Sequence, residues 1–309
     1  MAMSGEPGIV VVTHNSAEVL AACLESALER SGNVVVVDNL SADNTCQVAR
    51  RYPVQLIANQ ENRGFAAAVN QGTDRLRTEL ILLLNPDARL LTPLEPMMDR
   101  LRQPGVGAVG GRLVDEQGRD QTGFAIRRFP TPAALICESL GLNRLWPGNP
   151  VNKRYRALDA DLSVSQETEQ PAGAFLMFKR AVWQSLGGFD ERFYPLWFED
   201  VDFLRRTSKA GYRIWYEPAA CAAHTGAHSI RNLQPSDRQR FWYGNLLRYA
   251  SFHFQSALVV RLVALAVLVG VGLRSLVSGG SRPAGAAGLA WTYLVHGRCG
   301  AGENDRKAK

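Results

Sequence analysis

The feature that most constrains the fold is an unbroken aliphatic run, Leu80–Leu84, which leads directly into Asn85-Pro86-Asp87. Such a run without polar interruption is typical of a strand buried on both faces of a sheet. Pro86 has no N–H to donate to a neighbouring strand, so strand pairing is expected to end there. The sequence therefore predicts that Asp87 lies at the carboxyl end of a central strand, the edge where open α/β sheets bind ligands.

The residues after this strand allow two interpretations. An acidic side chain at such an edge can hold a divalent cation against a phosphate group. Asn, Pro and Asp are also ordinary turn residues, and a simple turn would equally end the strand. The motif alone does not distinguish a cation-binding residue from a simple turn, so the rest of the sequence has to decide between them.

Strands and helices alternate through the first hundred residues, which predicts an α/β fold with a Rossmann-like, mostly parallel central sheet flanked by helices. The predicted strands are Ile9–Thr13, Val34–Val37, Val54–Ala58, Leu80–Leu84 and Val106–Leu113. The predicted helices are Ala17–Arg30, Asp43–Arg51, Phe65–Leu76 and Leu94–Leu101.

Periodicity is lost between Thr131 and Gln170, where Pro, Asn and Trp interrupt the chain. We expect this segment to be a structureless insert that is functional or mobile. Order is predicted to resume with Gly173–Lys179, a helix after Glu199, a strand over Tyr212–Tyr216 and a helix over 236–252.

Length and composition exclude a disordered, fibrous or disulfide-stapled chain. The 309 residues are 46% hydrophobic, enough for a large core and one or two domains. The five cysteines are scattered without a C-x-x-C pair, which indicates reduced thiols in a cytoplasmic protein. The first apolar run, Ile9–Val12, is too short for a signal peptide, so none is expected.

The positive charge is concentrated towards the C-terminus. Residues 227–309 contain 11 Lys/Arg and 3 Asp/Glu, a net charge of +8, whereas the whole chain has +6. Such a segment can bind nucleic acid or an anionic membrane surface. We predict the membrane and no nucleic acid, because the segment also contains the apolar run Ala257–Val269.

This apolar run is interrupted by Arg261 and followed by Gly270, Gly272 and Arg274, so it falls short of the ~20 residues of a spanning helix. It predicts a helix lying in the membrane interface, and a buried helix is the alternative. The predicted domains are therefore a catalytic domain, 1–255, and a basic, apolar helical tail, 256–309. The Gly/Ala/Ser-rich stretch Ser278–Gly288 is predicted to be a linker.

Polar residues follow the first two predicted strands, at the same sheet edge as Asp87. Thr13 and Asn15 follow the first strand, and Asp38, Ser41 and Asp43 follow the second. Asp38 can accept from a pyrimidine N–H, and Thr13 and Asp43 can hold ribose or phosphate. The alternatives are an Asx turn at Asp38 and a helix N-cap at Ser41 or Asp43.

The third helix opens with Asn62-Arg63-Gly64 and contains Asn70 one turn later. Gly64 would let a ligand approach the backbone, the helix N-terminus favours an anion, and Arg63 adds positive charge for a diphosphate. Helix initiation by Asn62 is the alternative. No strand is followed by G-x-G-x-x-G, which argues against a nicotinamide or flavin site.

Three carboxylates, Glu199, Asp200 and Asp202, follow Trp197-Phe198. Like charges beside apolar neighbours raise the pKa of a carboxyl group, as a general base near neutrality requires. Acids at a helix N-terminus would also be favoured by the helix dipole alone. Further along, His224 or His228 could complete the coordination of a metal held by Asp87, although single histidines are more often structural.

Taken together, these motifs resemble family 2 glycosyltransferases of the GT-A fold, and most of all the bacterial rhamnosyltransferases. The similarity covers about residues 8–230. The motifs occur in the family's order: Thr13-His14-Asn15, Asp38-Asn39-Leu40-Ser41-Ala42-Asp43, Asn62-x-Gly64-Phe65-Ala66, Asn85-Pro86-Asp87-Ala88, Gly173-Ala174-x5-Arg180, Gly187-Gly188-Phe189-Asp190-Glu191, Glu199-Asp200-x-Asp202 and His224.

The resemblance implies a role for each matching residue. Asp200 would be the catalytic base, supported by Glu199 and Asp202. Asp87 and His224 would bind Mg²⁺ or Mn²⁺. The nucleotide sugar would be bound by Thr13, Asn15, Asp38, Ser41, Asp43, Asn62, Arg63, Gly64, Asn70, Asn85 and Asp87. The acceptor would be bound by Gly173, Ala174, Trp197 and Glu199.

The resemblance also implies an inverting, metal-dependent transfer of a single sugar, with L-rhamnose from dTDP-L-rhamnose expected and a UDP-sugar as another donor. The expected acceptor is a polysaccharide or a polyprenyl-diphosphate-linked saccharide in cell-wall synthesis, at the inner face of the cytoplasmic membrane. Asn85 replaces the first Asp of the family's Asp-x-Asp motif, and the Gln-x-x-Arg-Trp motif of polymerising members is absent. The alternatives are a sugar nucleotidyltransferase and an inactive, membrane-associated saccharide-binding module.

Overall fold

A computed structural model describes residues 5–226, 233–278 and 284–297. The chain divides into two compact units. The first unit comprises Met1–Phe129 and Arg156–Asn232, and the second comprises Pro130–Tyr155 and Leu233–Lys309. The predicted boundary between a catalytic domain and a tail at residue 255 stays a prediction.

The first unit contains a central sheet with helices around it. Its strands are β1 (Gly8–Thr13), β2 (Val34–Asp38), β3 (Gln55–Ala58), β4 (Leu80–Leu84), β5 (Ala88–Leu90), β6 (Val106–Val114), β7 (Ile126–Arg127), β8 (Gln166–Glu167), β9 (Gln170–Pro171), β10 (Phe175–Lys179) and β11 (Arg213–His224). Its helices are α1 (Leu20–Leu28), α2 (Thr45–Ala49), α3 (Phe65–Arg75), α4 (Glu95–Arg102), α8 (Arg180–Ser185) and α9 (Glu199–Lys209).

The main sheet has the order β3-β2-β1-β4-β10-β6-β11-β5, with β8 paired to β11. Strands β1–β4 run parallel to one another, and β6 and β11 form a second parallel pair. Between them lies β10, which is antiparallel to both β4 and β6. The mixed, mostly parallel sheet flanked by helices confirms the predicted fold class.

The opening aliphatic run forms β4 at the centre of this sheet. All five of its residues are buried. Strand β1 pairs on one side and β10 on the other, and Leu80, Leu82 and Leu84 pack into the main hydrophobic core. Asn85 N–H continues the pairing by donating to Ala174 O at 3.0 Å, and the chain turns at Pro86. The strand and its end at this proline were predicted from the sequence, whereas the antiparallel neighbour β10 was not.

The second unit is helical, and part of it corrects the prediction for Thr131–Gln170. That segment is not structureless: it contains α5 (Pro132–Leu140), α6 (Leu142–Leu145) and α7 (Pro150–Tyr155), besides β8 and the start of β9. The Thr131 hydroxyl caps α5 by accepting from Ala134 N–H at 3.2 Å, and Pro132 occupies the first turn. These capping residues specify a helix even where the hydrophobic period is weak.

The described part of the second unit contains three further helices: α10 (Pro235–His253), α11 (Ala257–Ser278) and α12 (Ala284–His296). Helix α11 has 22 residues, so the prediction that the apolar run is too short to span was wrong. The helix continues through Gly270, where a Cβ would lie 1.9 Å from Ser139 O of α5. The predicted linker is helical from Ala284 onwards, and 279–283 lie outside the described residues.

Candidate active site

The carboxyl ends of β1 and β2 carry a network of buried polar groups. Thr13 pairs with Asp38 in the parallel register, and its hydroxyl donates to Asp38 Oδ1 at 2.9 Å. Ser41 donates to the same carboxylate twice, from its N–H at 2.9 Å and from its hydroxyl at 2.5 Å. Three donors therefore fix the Asp38 carboxylate at the sheet edge predicted to bind the nucleotide.

Asn15 and Asp43 tie the two loops together. Asn15 N–H donates to the Ser41 hydroxyl at 2.8 Å, and Asn15 Oδ1 accepts from Ala42 N–H at 2.7 Å. Asp43 accepts from the N–H groups of Ala17 and Thr45, at 3.1 and 3.0 Å, and from the Thr45 hydroxyl. Burial alone would raise the pKa of Asp43, but these hydrogen bonds outweigh it and leave the pKa below its usual value. Its visible role is structural, next to the start of α2.

At the start of α3, Asn39 organises the predicted Asn62-Arg63-Gly64 segment. Asn39 Nδ2 donates to Asn62 Oδ1 at 3.0 Å, and Asn39 Oδ1 accepts from Arg63 N–H at 3.0 Å. Gly64 has φ +84°, and a Cβ there would lie 2.8 Å from the Tyr194 ring. Both the backbone conformation and the close approach require glycine at this position.

Asn70, also predicted to bind the nucleotide sugar, makes a different set of contacts. Its side-chain amide exchanges two hydrogen bonds of 2.9 Å with the backbone of Phe189 and donates to Glu191 at 3.1 Å. These bonds attach α3 to the Gly187–Glu191 loop. They connect Asn70 with that loop rather than with the Thr13–Asp38–Ser41 network.

The predicted metal ligands lie together. Asp87 Oδ1 is 3.5 Å from His224 Nε2, and the two side chains are only 5% and 4% exposed. Their backbones are adjacent because His224 pairs with Ala88 across β11 and β5, and Thr225 N–H donates to Asp87 O. Among the described residues no third His, Cys, Asp or Glu completes the cluster. His228 lies outside the described residues.

The donor types fit a divalent cation that is completed by its substrate. One carboxylate oxygen and one imidazole nitrogen face each other, and Asn85 adds a neutral amide on the same turn. Mg²⁺ is commonly bound through one or two carboxylates together with substrate phosphates and water. A protein pair without a third ligand is therefore compatible with a cation that arrives with a nucleotide diphosphate.

The acidic block begins α9. Glu199 is 5% exposed, and its Oε2 has no hydrogen-bond partner. Burial raises the pKa of Glu199 well above its usual value, and the charges of Asp200 and Asp202 add to this. Burial also raises the pKa of Asp200, although Val201 and Gly173 N–H groups partly oppose the shift by donating to it. A carboxylate with a raised pKa at a partly open position is suited to general-base chemistry.

The third acid of the block, Asp202, has a clear structural role. Its Oδ2 accepts from Arg206 Nε at 2.7 Å, one turn along the same helix. Arg206 in turn donates to Leu186 O and Gly188 O at 2.7 and 2.8 Å. Asp202 therefore orients an arginine that fixes the loop before α9.

The backbone before α9 is strained. Trp197 and Phe198 have φ of +77° and +74°, a left-handed conformation that bulky residues rarely adopt. Phe198 is buried and Trp197 is half-buried. Two consecutive residues of this kind turn the chain sharply, and the turn places Glu199 and Asp200 in the first turn of α9.

The dipeptide Gly173-Ala174 joins the two acidic regions. Gly173 N–H donates to Asp200 Oδ2 at 3.1 Å, and Ala174 O accepts from Asn85 N–H at 3.0 Å. A Cβ on Gly173 would lie 2.9 Å from Asp200 Oδ2, so a larger residue would displace the carboxylate. The predicted base and the predicted metal turn therefore adjoin one short stretch of backbone before β10.

The loop between β6 and β7, together with Arg127 of β7, was not predicted to contribute to the site. Gln121 and Phe124 contact His224, the first by hydrogen bonds and the second by stacking at 5.3 Å between ring centroids. The positive charge of Arg127 favours the ionised form of Asp200. No periodicity or motif marks these three residues in the sequence. The pairing of β11 with β5 and β6 positions His224 against Gln121 and Phe124, and Arg127 is held in β7 by its pairing with Gln170 of β9.

Comparison with known proteins agrees with this architecture. The family model for glycosyl transferase family 2 matches residues 8–187. The chain is 31% identical over 243 residues to an N-acetylglucosaminyl-diphospho-decaprenol L-rhamnosyltransferase of Mycobacterium tuberculosis, an alignment covering 72% of this chain and 76% of that protein.

Two solved structures share the fold at low sequence identity. The mannosyltransferase PcManGT from Pyrobaculum calidifontis, in complex with GDP-Man and Mn²⁺, has a TM-score of 0.55 at 18% identity and covers 94% of this chain and 79% of its own. S. aureus TarS 1–349 in complex with UDP-GlcNAc has a TM-score of 0.56 at 14% identity, with coverages of 95% and 81%. The chain belongs to glycosyl transferase family 2 and has the GT-A fold.

Proposed function

We propose that this glycosyltransferase moves one sugar, with inversion, from a nucleotide sugar to a saccharide linked to a polyprenyl diphosphate. Glycosyl transfer itself follows from family membership. The observation that supports this reaction most directly is the position of Asp200. Its carboxylate has a raised pKa, accepts from Gly173 N–H and lies one dipeptide away from the Asn85–Asp87 turn.

In the proposed reaction, Asp200 accepts the proton of an acceptor hydroxyl. The hydroxyl oxygen forms a bond to the anomeric carbon from the side opposite the diphosphate, and the bond between that carbon and the diphosphate oxygen breaks. Inversion results because bond formation and bond breaking occur on opposite faces. Glu199 and Trp197, with the backbone of Gly173 and Ala174, are proposed to orient the acceptor.

On the donor side, the Asp38 carboxylate and its partners Thr13 and Ser41 are proposed to bind the nucleotide, since this network is already ordered by internal hydrogen bonds. The start of α3, with Arg63, is proposed to face the diphosphate. Asp87 and His224 are proposed to hold Mg²⁺ or Mn²⁺. When bound, the cation would neutralise charge that develops on the leaving diphosphate.

The donor is proposed to be dTDP-L-rhamnose, and the acceptor a saccharide on a polyprenyl diphosphate in cell-wall synthesis. This rests on similarity to the mycobacterial rhamnosyltransferase, whose name gives both the transferred sugar and a decaprenol-linked acceptor. Other nucleotide sugars belong in the same experiment, because the choice of rhamnose rests on one relative at 31% identity.

We further propose that the second unit attaches the enzyme to the inner face of the cytoplasmic membrane. Residues Ala257–Leu276 of α11 are long and apolar enough to cross a bilayer, with a mean hydropathy of 2.2, a test that buried helices of soluble proteins also meet. The solvent-facing side of this helix and of α12 is mainly apolar, and it also exposes Arg261, Thr292 and His296. Its exposed large apolar residues are Leu258, Leu262, Leu265, Val269, Leu273, Leu276, Trp291 and Val295.

An in-plane position is favoured over a spanning one. A helix on the surface of a soluble protein normally exposes polar residues, so an apolar outer face indicates an apolar partner. The other side of α11 packs against α5, α12 and α10, and α10 contains Asp237, Arg238, Arg240 and Arg248. Burying these charges within the hydrocarbon would be costly, whereas at the interface they would meet anionic headgroups.

The donor proposal is tested by thermal unfolding with dTDP-L-rhamnose, UDP-sugars and GDP-sugars, with and without Mn²⁺, followed by transfer assays on a synthetic prenyl-diphosphate saccharide. A bound donor at 100 times its Kd stabilises the folded state by about 2.7 kcal/mol. A product that forms only with a nucleoside triphosphate, or releases pyrophosphate, would instead identify a nucleotidyltransferase. Binding without transfer would identify an inactive module.

The membrane proposal is tested by flotation with vesicles. The wild-type protein should float with vesicles that contain phosphatidylglycerol and less with pure phosphatidylcholine. Leu262→Glu should reduce flotation, because it places a charge in the apolar face. Val164→Glu is the matched control, since Val164 is about equally exposed at 48% but lies in the first unit. Equal flotation of all three proteins would contradict the proposed surface.

A further inference from the structure

His224 is held by Gln121, a residue in the loop after β6. Gln121 Nε2 donates to the backbone O of His224 at 2.6 Å, and Gln121 Oε1 lies 3.0 Å from His224 Nδ1. The backbone of Gln121 is itself anchored, since its N–H donates to Leu113 O at 3.0 Å and its O accepts from Phe124 N–H at 3.0 Å. One side chain therefore contacts both the backbone and the ring of His224.

These two contacts indicate that the Nδ1 atom of His224 carries hydrogen. A backbone carbonyl can only accept, so the Gln121 atom next to His224 O must be the NH₂ group. Flipping the amide would place two acceptor oxygens against each other, which excludes that assignment. The other end of the amide is then an acceptor, and His224 Nδ1 must carry hydrogen to donate to it.

The remaining nitrogen, Nε2, faces Asp87 Oδ1 at 3.5 Å. A direct hydrogen bond between these atoms would normally be 2.7–3.2 Å long, so the separation is longer than such a bond. Phe124 restrains the ring further, lying at 9° to its plane. With Nδ1 protonated, a neutral His224 directs its Nε2 lone pair towards the Asp87 carboxylate.

We propose that Gln121 is a positioning residue that fixes His224 in the Nδ1–H tautomer, so that Nε2 and Asp87 Oδ1 form a preorganised pair for a divalent cation. This inference rests on the proposed metal site. Histidine ligands of metals commonly donate their second N–H to an oxygen that orients the ring, and loss of that partner weakens metal binding about 10–100-fold. Here the oxygen comes from an amide, which adds no charge.

The first experiment needs no substitution in the loop. In the metal-free protein, ¹⁵N NMR of the imidazole rings should show His224 with a protonated Nδ1 and an unprotonated Nε2. The signals are assigned by their loss in His224→Gln, because the chain has four other histidines among its five. An Nε2–H tautomer for His224 in the wild-type protein would overturn the proposal.

The second experiment measures Mn²⁺ binding by electron paramagnetic resonance in the presence of dTDP. Gln121→Met keeps the side-chain length but removes both hydrogen bonds, and it should weaken Mn²⁺ binding about 10–100-fold and mix the two tautomers. Gln117→Met is the matched control in the same loop, where the glutamine contacts Arg119 instead of His224. It should leave both measurements unchanged.

Asp87→Asn separates two hypotheses: that Asp87 and His224 form a metal site, and that Gln121 positions His224 in it. If Asp87→Asn and Gln121→Met both leave Mn²⁺ binding unchanged, the proposed metal site itself is wrong. If Asp87→Asn weakens binding while Gln121→Met changes neither affinity nor tautomer, only the role of Gln121 is wrong. Thermal unfolding of each variant verifies that it is folded. If Gln121→Met does not fold, the NMR experiment on the wild-type protein still tests the proposal.

Discussion

The two polar regions of the sheet edge differ in how their carboxylates are satisfied. At the ends of β1 and β2, the Asp38 carboxylate accepts three hydrogen bonds from Thr13 and Ser41. At the start of α9, Glu199 Oε2 is buried without a hydrogen-bond partner. Burial raises the pKa of Glu199 and of Asp200 beside it. The first region is ordered before any ligand binds, whereas the second retains one buried carboxylate oxygen, Glu199 Oε2, without a hydrogen-bond partner.

This difference indicates that the two regions have different functions. A satisfied carboxylate favours a fixed geometry, which suits recognition of a nucleotide. Desolvated carboxylates with raised pKa values suit proton transfer, at a cost in folding stability. The strained Trp197 and Phe198 backbone next to Glu199 adds to that cost. Three variants, taken in order of decreasing effect, test whether the two regions differ in this way.

Asp200→Asn should have the largest effect, a loss of about 10²–10⁴-fold in kcat, because an amide cannot accept the acceptor's proton. The donor's Kd should change little. Steady-state kinetics and thermal unfolding measure both consequences. Asp159→Asn is the control, since that side chain is 71% exposed. Near-normal turnover by a folded Asp200→Asn enzyme would contradict the assignment of the base.

Asp38→Asn should affect folding stability and donor binding more than it affects kcat. The amide cannot accept all three hydrogen bonds, so the variant should lose about 1–3 kcal/mol of folding stability and bind the donor more weakly. With saturating donor, kcat should fall much less than in Asp200→Asn. Chemical denaturation and donor titration measure these effects, with the exposed Asp74→Asn as the control. If only kcat fell, the proposed difference in function between the two regions would be wrong.

Glu199→Gln should have the smallest effect, visible as a change in pH dependence. Because the folded-state pKa of Glu199 is raised, the folded protein retains this proton above about pH 4.3, where the unfolded chain has released it. The Glu199 contribution to stability therefore falls as pH rises towards its folded-state pKa. The change in melting temperature from pH 5 to pH 8 should be less negative in Glu199→Gln than in the wild-type protein. An unchanged difference would show that Glu199 is not desolvated.

Much of the first unit could be predicted because its signals are local. The run Leu80–Leu84, the stop at Pro86 and the polar residues after β1 and β2 follow from period, chain geometry and the edge rule for parallel strands. The helical structure within Thr131–Gln170 was missed because capping residues, rather than periodicity, define α5. The length of α11 was underestimated because the helix continues through Gly272 and through Gly270, which packs closely against Ser139.

The residues of the candidate site could be listed from the sequence, but which of them lie next to one another could not. Asp87 and His224 come together only because β11 pairs with β5, 130 or more residues later in the chain. The proximity of Asp200 to the Asn85 turn depends on Gly173-Ala174 at the start of the antiparallel strand β10. Asn70 and Asp202 were placed correctly on their helices, yet their visible contacts attach loops.

The fold class, the family and the carboxylates at the sheet edge could be read from local sequence features, because hydrophobic period, proline and strand ends act over a few residues. Which groups are desolvated, which are already hydrogen-bonded and which nitrogen of His224 is proposed to carry hydrogen depend on the assembled tertiary structure. Those properties depend on partners distant in sequence: Gly173 for Asp200, Gln121 for His224 and Thr13 for Asp38. No local pattern encodes them, since each requires the sheet to be assembled first.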